Sequence, residues 1–468
     1  MSSFKESSTL PDEFELPEDW VETTLDQLLC RFESGSRPKG GVRGISNGVP
    51  SIGGEHLDNN GNFRFGNLKY VPEAFYKTMK RGHIEHGDVL IVKDGATTGK
   101  VSLVREDFPY CPAVVNEHVF ICRFSTGVFP AFLFYFLFSQ EGQNRILNNF
   151  RGSAQGGINQ SFAPGTIVPL APLSEQKRIV KKVDEIWARV NEIREHLAGT
   201  HAFLKRFRQS VLASACAGRL TQEWRAKSDC ASWKHLTIGD VIRDRPRNGY
   251  SPRGVSYETD VKSLTLTATT SGRFQQGYFK YLDVNIPQDS HLWLRTNDIL
   301  IQRSNTAEYV GVSAIYDGPN SAYIYPDLMM KIQAKEDVLP KYLWYSLSNE
   351  TTRNYFRVNA IGTAGSMPKI NQHIVQAAPI ELPSIEEQSE IVRRVEAIFK
   401  EYDSIEHRIN IIITHVDKLI QSILGKAFRG ELVPTEAELA LNEGREYESA
   451  SLLLERIKEK QDKLKIGK

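Results

Sequence analysis

Residues 93–100 have the composition of a phosphate-binding loop. They read Lys-Asp-Gly-Ala-Thr-Thr-Gly-Lys, and the backbone N–H groups of such a glycine-rich loop can cradle a phosphate. However, the loop has one residue too few between its glycines. In addition, Val101 stands where a nucleotide-hydrolysing loop carries the Ser or Thr that holds magnesium. We therefore do not expect nucleotide hydrolysis at this segment.

Other catalytic signatures also fail to appear in the sequence. It contains no Asn-Pro-Pro-aromatic or Asp-Pro-Pro-aromatic tetrapeptide, which argues against the active site of an amino-methyltransferase. His83 and His86 lack the helical spacing and the cysteine partner that zinc sites use. We expect no catalytic residue, no metal and no cofactor in this chain.

Basic, glycine-rich loops are better candidates for function. Arg can pair with guanine and Asn or Gln with adenine, while Lys and Thr bind phosphates, so these loops predict contacts with nucleic acid. Each loop taken alone could equally be an ordinary solvated loop. The first set is Ser36, Arg37, Lys39 and Arg43 with Lys93, Thr97, Thr98 and Lys100. The second set is Arg245, Arg247, Asn248 and Arg253 with Gln302, Arg303 and Asn305.

The two sets occupy corresponding places because the chain is a tandem duplication. Gln176 recurs as Gln388, 212 positions later, and Asp88 recurs as Asp298, 210 positions later. The triplet Ile158-Asn159-Gln160 returns as Ile370-Asn371-Gln372, and Gln209-Ser210 returns as Gln421-Ser422. Outside this shared framework the copies differ, so one scaffold carries two different recognition surfaces. A repeat this long indicates a domain plus a connector in each copy.

The connectors show the heptad pattern of coiled coils, which an ordinary core-facing helix would not keep over so many turns. The apolar positions of the second connector are Ile391, Val395, Ile398, Tyr402, Ile405, Ile409, Ile412, Val416, Leu419 and Ile423. The first connector runs over residues 179–211 and is interrupted only at Gly199-Thr200, which puts its continuity in question.

Helix start and stop signals flank both connectors. Pro172 and Pro383 precede them, Ser174 or Ser384 is the expected N-cap, and Gly218 or Gly430 is the expected stop.

The sequence therefore predicts an α/β fold with two strand-rich α/β domains in tandem, separated by two long coiled-coil helices. If residues 224–382 form a domain with neighbouring termini, one helix enters it where the other leaves, so the helices run antiparallel. Helices of about 33 residues, about 50 Å long, would then hold the domains at opposite ends of a rod, related by a pseudo-two-fold axis. The predicted segments are 1–16 (extension), 17–171 (first domain), 172–223 (central helical spacer), 224–382 (second domain), 383–432 (C-terminal helical spacer) and 433–468 (tail with a short helix).

Composition restricts the cellular setting. The formal net charge of +1 excludes a histone-like polybasic protein but allows a local basic face. The five cysteines are odd in number and lack C-x-x-C spacing, which is typical of reduced thiols in a cytoplasmic protein. Because no apolar run approaches the roughly 20 residues that span a bilayer, we expect no membrane association.

Two similar segments open the predicted helices. They are Pro172-Leu173-Ser174-Glu175-Gln176 leading into Ile179-Val180, and Pro383-Ser384-Ile385-Glu386-Glu387-Gln388 leading into Ile391-Val392. Further marks are residues 204–212 and 421–432. Combined with the duplicated variable domain and the long helices, these segments resemble the specificity subunit of type I restriction-modification enzymes. The resemblance covers nearly the whole chain.

That resemblance implies a non-catalytic subunit that reads double-stranded DNA. In the family, two target recognition domains each read one half of a bipartite, asymmetric sequence, and the helices set the spacer. Two modification subunits bind S-adenosylmethionine and methylate adenine N6, and two restriction subunits use ATP and Mg to translocate and cut DNA. We predict that Glu175, Gln176, Glu387 and Gln388 form the interface with partner subunits.

Two other classes of protein compete with this interpretation. A scaffold whose twin domains bind other proteins would use the heptads for oligomerisation, and its complexes would not bind duplex DNA. A stand-alone methyltransferase or nuclease would show turnover by the purified chain.

Overall fold

In each of the two copies, the first strand pairs with the last strand. The computed structural model describes residues 16–151, 156–228, 232–362 and 367–466; the predicted extension, except Leu16, and Cys230 lie outside them. The fold divides into two units: Met1–Glu195 with Ile412–Lys468, and His196–Ile411. Each long helix therefore contributes one half to each unit, so this division cuts across the predicted spacers instead of falling at their ends.

The first unit contains a four-stranded antiparallel sheet. The order of its strands is Leu29–Ser34, Val119–Phe124, Val89–Val92, Val101–Leu103. The other strands are Val21–Thr24 paired with Ile167–Leu170, and Val49–Ile52 between Lys69–Val71 and Val114–Val115. The shorter helices are Leu25–Leu28, Gly54–His56 (3₁₀), Glu73–Thr78, Pro130–Phe138, Gln140–Leu147, Phe162–Gly165, Glu436–Glu443 and Ala450–Ile466. The last helix packs on this unit, since Leu453 and Ile457 are fully buried in its core.

The second unit repeats that sheet. The order of its strands is Arg247–Asn248, Met329–Ile332, Ile299–Gln302, Ser313–Ile315. The other strands are Lys234–Thr237 paired with Pro379–Leu382, and Val261–Leu264 paired with Phe279–Leu282. The shorter helices are Gln222–Arg225, Ile238–Val241, Thr267–Thr270, Pro340–Ser348, Glu350–Asn359 and Gln372–Gln376. Equal strand order and equal strand directions confirm the duplication that the sequence predicts.

An aromatic helix lies in the core of the first unit. Pro130–Phe138 starts with proline at a position where no helical N–H is needed. Its residues from Ala131 to Leu137 are buried. The rings of Phe132 and Phe136 pack edge-on against the ring of Phe428, with distances of 5.2 and 5.3 Å between ring centroids. The second long helix thus completes this core, because Phe428 is its last residue.

Both long helices are longer than predicted. Leu173–Cys216 and Ile385–Phe428 each have 44 residues, about 66 Å at 1.5 Å per residue. The first helix is continuous through Gly199-Thr200, where the Thr200 hydroxyl donates to the carbonyl of His196 at 2.8 Å. The hydroxyl is therefore satisfied within the helix, and the interruption of the heptad pattern does not break the helix.

The start signals were predicted correctly in one helix only. Ser384 precedes Ile385, and its hydroxyl accepts the Glu387 N–H at 3.3 Å, as an N-cap does. Ser174 lies inside its helix, which already begins at Leu173, so the predicted N-cap at Ser174 is wrong.

The stop signals were predicted correctly in both helices. Gly218 and Gly430 adopt φ of +69° and +73°, a left-handed conformation that favours glycine. Arg219 N–H bonds to the Ser214 carbonyl and Glu431 N–H to the Lys426 carbonyl. Both helices therefore end in a Schellman motif.

Within each unit the two helix halves run antiparallel. In the second unit His201 lies 3.3 Å from Asn410, and the Arg208 guanidinium lies 4.4 Å from the centre of the Phe399 ring. Partner numbers thus fall as numbers along the first helix rise. In the first unit Arg194 pairs with Asp417 at 2.5 Å.

Only one row of each predicted heptad seam is buried in mid-helix. The row with Tyr402, Ile409 and Val416 is buried, whereas Ile405, Ile412 and Leu419 are 44–51% exposed. The first helix has the same arrangement, with one row buried at Val183, Val190, Leu204 and Val211 and an exposed row at Ile193 and Phe207. The helices are long and antiparallel as predicted, and within this chain one of the two apolar rows of the heptad pattern stays exposed in mid-helix. Among the described helices, none is long and apolar enough to cross a bilayer.

Candidate nucleic-acid interface

The predicted loops of each unit leave the same edge of its four-stranded sheet. In the first unit, Leu29–Ser34 and Val89–Val92 both run antiparallel to Val119–Phe124. They are therefore parallel to each other, and residues 36–43 and 93–100 follow ends that lie side by side. The topology thus brings together loops that are at least 50 positions apart in the sequence.

The second unit places its loops in the same way. Arg247–Asn248 and Ile299–Gln302 flank Met329–Ile332, and both are antiparallel to it. Residues 249–253 and 303–305 therefore leave one edge, which brings together the predicted Arg253, Arg303 and Asn305. Arg247, Asn248 and Gln302 lie in the strands themselves, and Arg245 precedes its strand.

Charged side chains join the two loops of the first unit. Arg37 Nη2 lies 2.8 Å from Glu117 Oε1, which is also 3.3 Å from His118 Nε2. His118 Nδ1 is 2.5 Å from Asp94 Oδ1, and Lys93 Nζ is 3.9 Å from Asp94 Oδ2. Exposed ion pairs of this kind contribute little stability. Arg37 can therefore exchange its carboxylate for a phosphate at small cost.

Asp327 joins the two loops of the second unit. Its carboxylate accepts the Ser251 hydroxyl at 2.6 Å, and its backbone carbonyl accepts Arg303 Nη1 at 3.3 Å. A neutral hydroxyl and a backbone carbonyl thus replace the run of ion pairs found in the first unit. The equivalent edges differ in charge as well as in sequence.

The recurring Ile-Asn-Gln segments hold the second loop of each pair. Ile158 N–H donates to the Lys93 carbonyl at 2.7 Å, and Ile370 N–H donates to the Arg303 carbonyl at 2.9 Å. These contacts give the repeat of this triplet a physical reason, because the same backbone clip is needed in both copies.

A helix side chain supports the same loop from behind in each unit. Gln143 Nε2 donates to the Gly99 carbonyl at 3.0 Å. At the equivalent position, the buried Arg353 donates to the carbonyls of Val310 and Glu308 at 2.6 and 2.8 Å. Both loops therefore sit on a rigid element, which an accurate recognition surface requires.

The predicted contact residues differ in how available they are. Lys39, Arg43, Arg245, Arg247 and Arg253 are exposed and make no ion pair with any described residue. Ser36, Lys93, Thr97, Thr98, Lys100, Asn248, Arg303 and Asn305 are half-buried. Lys93 Nζ lies 5.6 Å from the centre of the Phe120 ring, and Lys100 Nζ lies 3.5 Å from the Leu57 carbonyl. Their contacts with nucleic acid remain predictions.

Gln302 does not fit the predicted role. Its side chain is fully buried, and Nε2 donates to the Leu266 carbonyl and the Thr269 hydroxyl, each at 3.0 Å. Its Oε1 accepts from Asn305 Nδ2 at 2.7 Å. Gln302 therefore supports the loop from inside and cannot reach a base. Asn305 is drawn inward by the same bond, which weakens the prediction that it reads DNA.

The four predicted partner-interface residues are also fully buried. In the first unit, Glu175 accepts the indole N–H of Trp20 and the backbone N–H of Glu436, both at 2.9 Å. Burial raises the pKa of the Glu175 carboxyl. Gln176 accepts the Phe129 N–H at 2.8 Å.

The second unit repeats this polar lock. Glu387 accepts from Trp233 Nε1 at 2.9 Å, Thr221 Oγ1 at 2.7 Å and Arg225 Nη1 at 2.8 Å. Gln388 accepts the Leu339 N–H at 2.8 Å. Since all four side chains bind inside the chain, their positions do not support a partner interface. They fasten the start of each long helix to its domain.

Sequence reasoning missed Glu117 and His118, which link the loops of the first unit, and Lys369, which forms a β-bridge with Ser304. The signal for Lys369 was its position directly before the recurring Ile370. Nothing in the sequence marked the turn at Glu117-His118, since it lies far from both loops along the chain. Among the described residues, no group of three or more His, Cys, Asp or Glu side chains could hold a metal ion.

The comparison with known protein families agrees with the duplicated fold. Residues 17–198 and 232–415 match the type I restriction modification DNA specificity domain. The chain therefore belongs to the family of type I restriction-modification specificity subunits, whose function is the recognition of DNA sequence.

Individual relatives agree with this assignment. The chain is 28% identical over 419 residues to the EcoKI specificity subunit of Escherichia coli K12, covering 88% of each chain. It is 29% identical over 422 residues to the StySPI specificity subunit of Salmonella potsdam, again covering 88% of each. A solved structure described as showing complex assembly and conformational transition of the type I R-M system shares the fold. Its TM-score is 0.64 at 20% identity, with 90% of this chain and all of that chain covered.

Proposed function

We propose that each unit reads one half of a bipartite, asymmetric DNA target. The observation that carries this proposal is that equivalent sheet edges present basic loops of different sequence and different charge. Because the two units share one fold, both can be positioned on DNA in the same way, while their different loops select different bases. The chain then directs methylation of adenine N6 and restriction to the sites that it selects.

Replacing residues 17–171 by the matching segment of another specificity subunit tests this modularity. The hybrid, assembled with its modification subunits, should methylate sites in which one half is new and the other half is unchanged. The matched control replaces residues 224–382 and should change the other half only. A change of both halves in either hybrid would contradict independent reading.

We also propose that the long helices fix the length of the unspecified spacer. Each long helix contributes one half to each unit, so helix length is the quantity that would set the distance between the two half-sites. Inserting seven residues into both helices keeps the buried row in register and adds about 10 Å. The spacer should grow by about three base pairs, as read by mapping methylated sites. An unchanged spacer would refute this role of the helices.

The partners proposed for this chain are two modification subunits and two restriction subunits. Cofactor chemistry belongs to them: S-adenosylmethionine to the modification subunits, and ATP with Mg to the restriction subunits. The target adenine must leave the stack for methylation, while this chain holds the flanking bases.

The exposed apolar rows of the helices support docking of the modification subunits, because a solvated face does not require apolar residues at heptad spacing. A change of Ile412 and Leu419 to Asp should abolish co-purification of the modification subunit. The same change at exposed Lys418 should not. Normal co-purification of the double variant would exclude docking at this row.

DNA binding separates these proposals from a protein scaffold. The complex with the modification subunit should bind its target duplex in the presence of excess poly-dI-dC. Failure to bind any duplex would favour the scaffold.

A further inference from the structure

A cleft of about 350 Å³ opens in the second unit, beside the strand pair of Arg247 and Lys331. Arg245 and Arg295 line it as well, together with the carboxylates of Asp244 and Asp289. None of the three arginines forms an ion pair with a described residue. Lys331 lies 3.2 Å from the buried Asp298. The cleft therefore has an excess of cations that the fold itself does not neutralise.

The cations also lie close enough to repel one another. Burial lowers the pKa of the Lys331 ammonium, and the charges of Arg295 and Arg247 lower it further, although Asp298 opposes them. The four cations outnumber the three carboxylates of Asp244, Asp289 and Asp298, and the remaining positive charge costs folding free energy. A bound anion would remove that cost.

The equivalent positions of the first unit carry residues of opposite charge or of no charge. Glu33 pairs with Ile121 in the sheet as Arg247 pairs with Lys331. Strand register thus places a glutamate where the second unit has an arginine, and an isoleucine where it has a lysine.

A second charge reversal lies beside the first. The backbone N–H of Glu85 donates to Asp88 at 2.8 Å, and that of Arg295 donates to Asp298 at 2.9 Å. Glu85 and Arg295 therefore also occupy equivalent positions. In the first unit Arg123 satisfies both carboxylates, at 2.5 Å from Glu85 and 2.8 Å from Asp88. That cluster is closed on itself, whereas its counterpart is open to a ligand.

We propose that this cleft of the second unit binds a phosphate group of the DNA backbone beside the half-site that the unit reads. The assignment rests on the proposed function of the chain. Arginine is suited to the role, because its planar fork binds phosphate oxygens in pairs and keeps its charge at any physiological pH.

The position of the cleft fits a phosphate next to a base-reading loop. Arg295 precedes the strand Ile299–Gln302 and Arg303 follows it. Four strand residues span about 13 Å, close to the width of the major groove, about 12 Å. A base contact near Arg303 and a phosphate contact in the cleft are therefore compatible with one duplex. The first unit, where Glu85 and Asp88 outweigh the single charge of Arg123, makes no such contact.

Charge substitution tests the cleft. Arg247→Glu with Arg295→Glu gives the second unit the residues that the first unit carries at these positions, and Arg247→Ala with Arg295→Ala only removes the charges. The matched control, Arg219→Glu with Lys234→Glu, changes two exposed cations of the same unit outside the cleft. Binding of target and unrelated duplexes by the full chain with its modification subunits is measured over a range of salt concentrations.

The glutamate pair should weaken binding to every duplex at least about ten-fold, and the alanine pair by less. The slope of log affinity against log salt should fall by about 0.9 for each phosphate that the variant no longer binds. Preference for the target bases should stay unchanged, and the control should behave like the wild type. Unchanged affinity and slope in both cleft variants would overturn the proposal while leaving the proposed function intact. A wild-type complex that does not discriminate its target would instead overturn the proposed function.

A thermal-shift arm with inorganic phosphate separates DNA from a free anion. If phosphate stabilised the wild-type chain but not the glutamate pair, and duplex affinity were equal in both, the DNA assignment would be wrong. Circular dichroism of the alanine pair shows that the fold is intact.

Discussion

The two units fasten their long helices by the same contact and carry opposite charges at equivalent positions. Trp20 and Glu175 form in the first unit the bond that Trp233 and Glu387 form in the second. In contrast, Glu85 of the first unit is replaced by Arg295 in the second. Residues that hold a domain on its helix are thus kept, while residues that face a ligand are free to change sign. The comparison of the two units therefore distinguishes the residues that hold the fold together from the residues that differ for recognition.

Removing the lock should have the largest effect. Glu387→Ala leaves the donors of Trp233, Thr221 and Arg225 without an acceptor, of which Thr221 is buried and the other two are half-buried. This should lower the free energy of unfolding by about 3 kcal/mol. Glu175→Ala should cost less, about 2 kcal/mol, since Glu175 accepts from an indole and a backbone N–H. Urea denaturation followed by tryptophan fluorescence measures both.

The neighbouring Glu386→Ala is the control, because Glu386 is exposed and lies outside the lock. Its unfolding midpoint should match that of the wild type. Equal losses for Glu175→Ala and Glu387→Ala would show that the arginine adds nothing to the second lock.

Replacing Val92 and Gln302, each by the residue that the other unit carries, tests how each unit supports its loop. The two are equivalent positions, following Ile91 and Ile301 on matching strands. Gln302→Val removes four hydrogen bonds from the loop, and Val92→Gln buries an amide in an apolar cluster. Each should cost about 2 kcal/mol. A loss of base preference confined to the matching half-site is expected from each variant, measured by methylation mapping. Loss in both half-sites would argue against independent units.

Two glycines at the first long helix should respond in opposite directions. Gly199→Ala should stabilise the chain by up to about 1 kcal/mol, because Gly199 is in open space inside a helix. Gly218→Ala should destabilise it by about 1 kcal/mol or more, because φ there is +69° and a Cβ would lie 2.6 Å from the Arg225 guanidinium. Thermal unfolding of both variants checks this. A destabilising Gly199→Ala would reveal an additional contact at that residue.

The smallest expected effect is a pH trend at Glu175. Because burial raises the folded-state pKa of Glu175, this group favours the folded state when it is protonated. That contribution is lost as pH rises through the folded-state pKa. Glutamine does not titrate, so the stability of Glu175→Gln relative to the wild type should rise between about pH 4 and about pH 7. Unfolding free energies of both proteins at these two pH values measure the trend; a fall instead of a rise would contradict it.

Much of the frame could be predicted from the sequence, because local signals determine it. A left-handed glycine ends each long helix at the predicted place, and the repeat of Ile158 and Ile370 marks a backbone clip that both units need. The corresponding loops of the two units could be predicted because the duplicated sequence implies the same order and direction of strands in both copies.

Contacts between distant residues could not be predicted in this way. Gln302 looked like a base reader by residue type, yet its neighbours Leu266 and Thr269 come from a segment more than 30 residues away. Glu175 looked like a surface motif, but the fold places Trp20 above it. Heptad spacing specifies two apolar rows, and it does not tell which row meets the other helix of the same chain.

The last helix, Ala450–Ile466, has a consequence for the order of synthesis. Leu453 and Ile457 are fully buried in the first unit, and Gln461 Nε2 bonds to the carbonyls of Gln27 and Leu29 at 3.0 and 3.1 Å. On the ribosome, residues 196–411 can complete their core as soon as they emerge, whereas the unit begun first must wait for the tail. The part made earliest is therefore the last to mature, and its apolar core stays incomplete until the last helix has emerged.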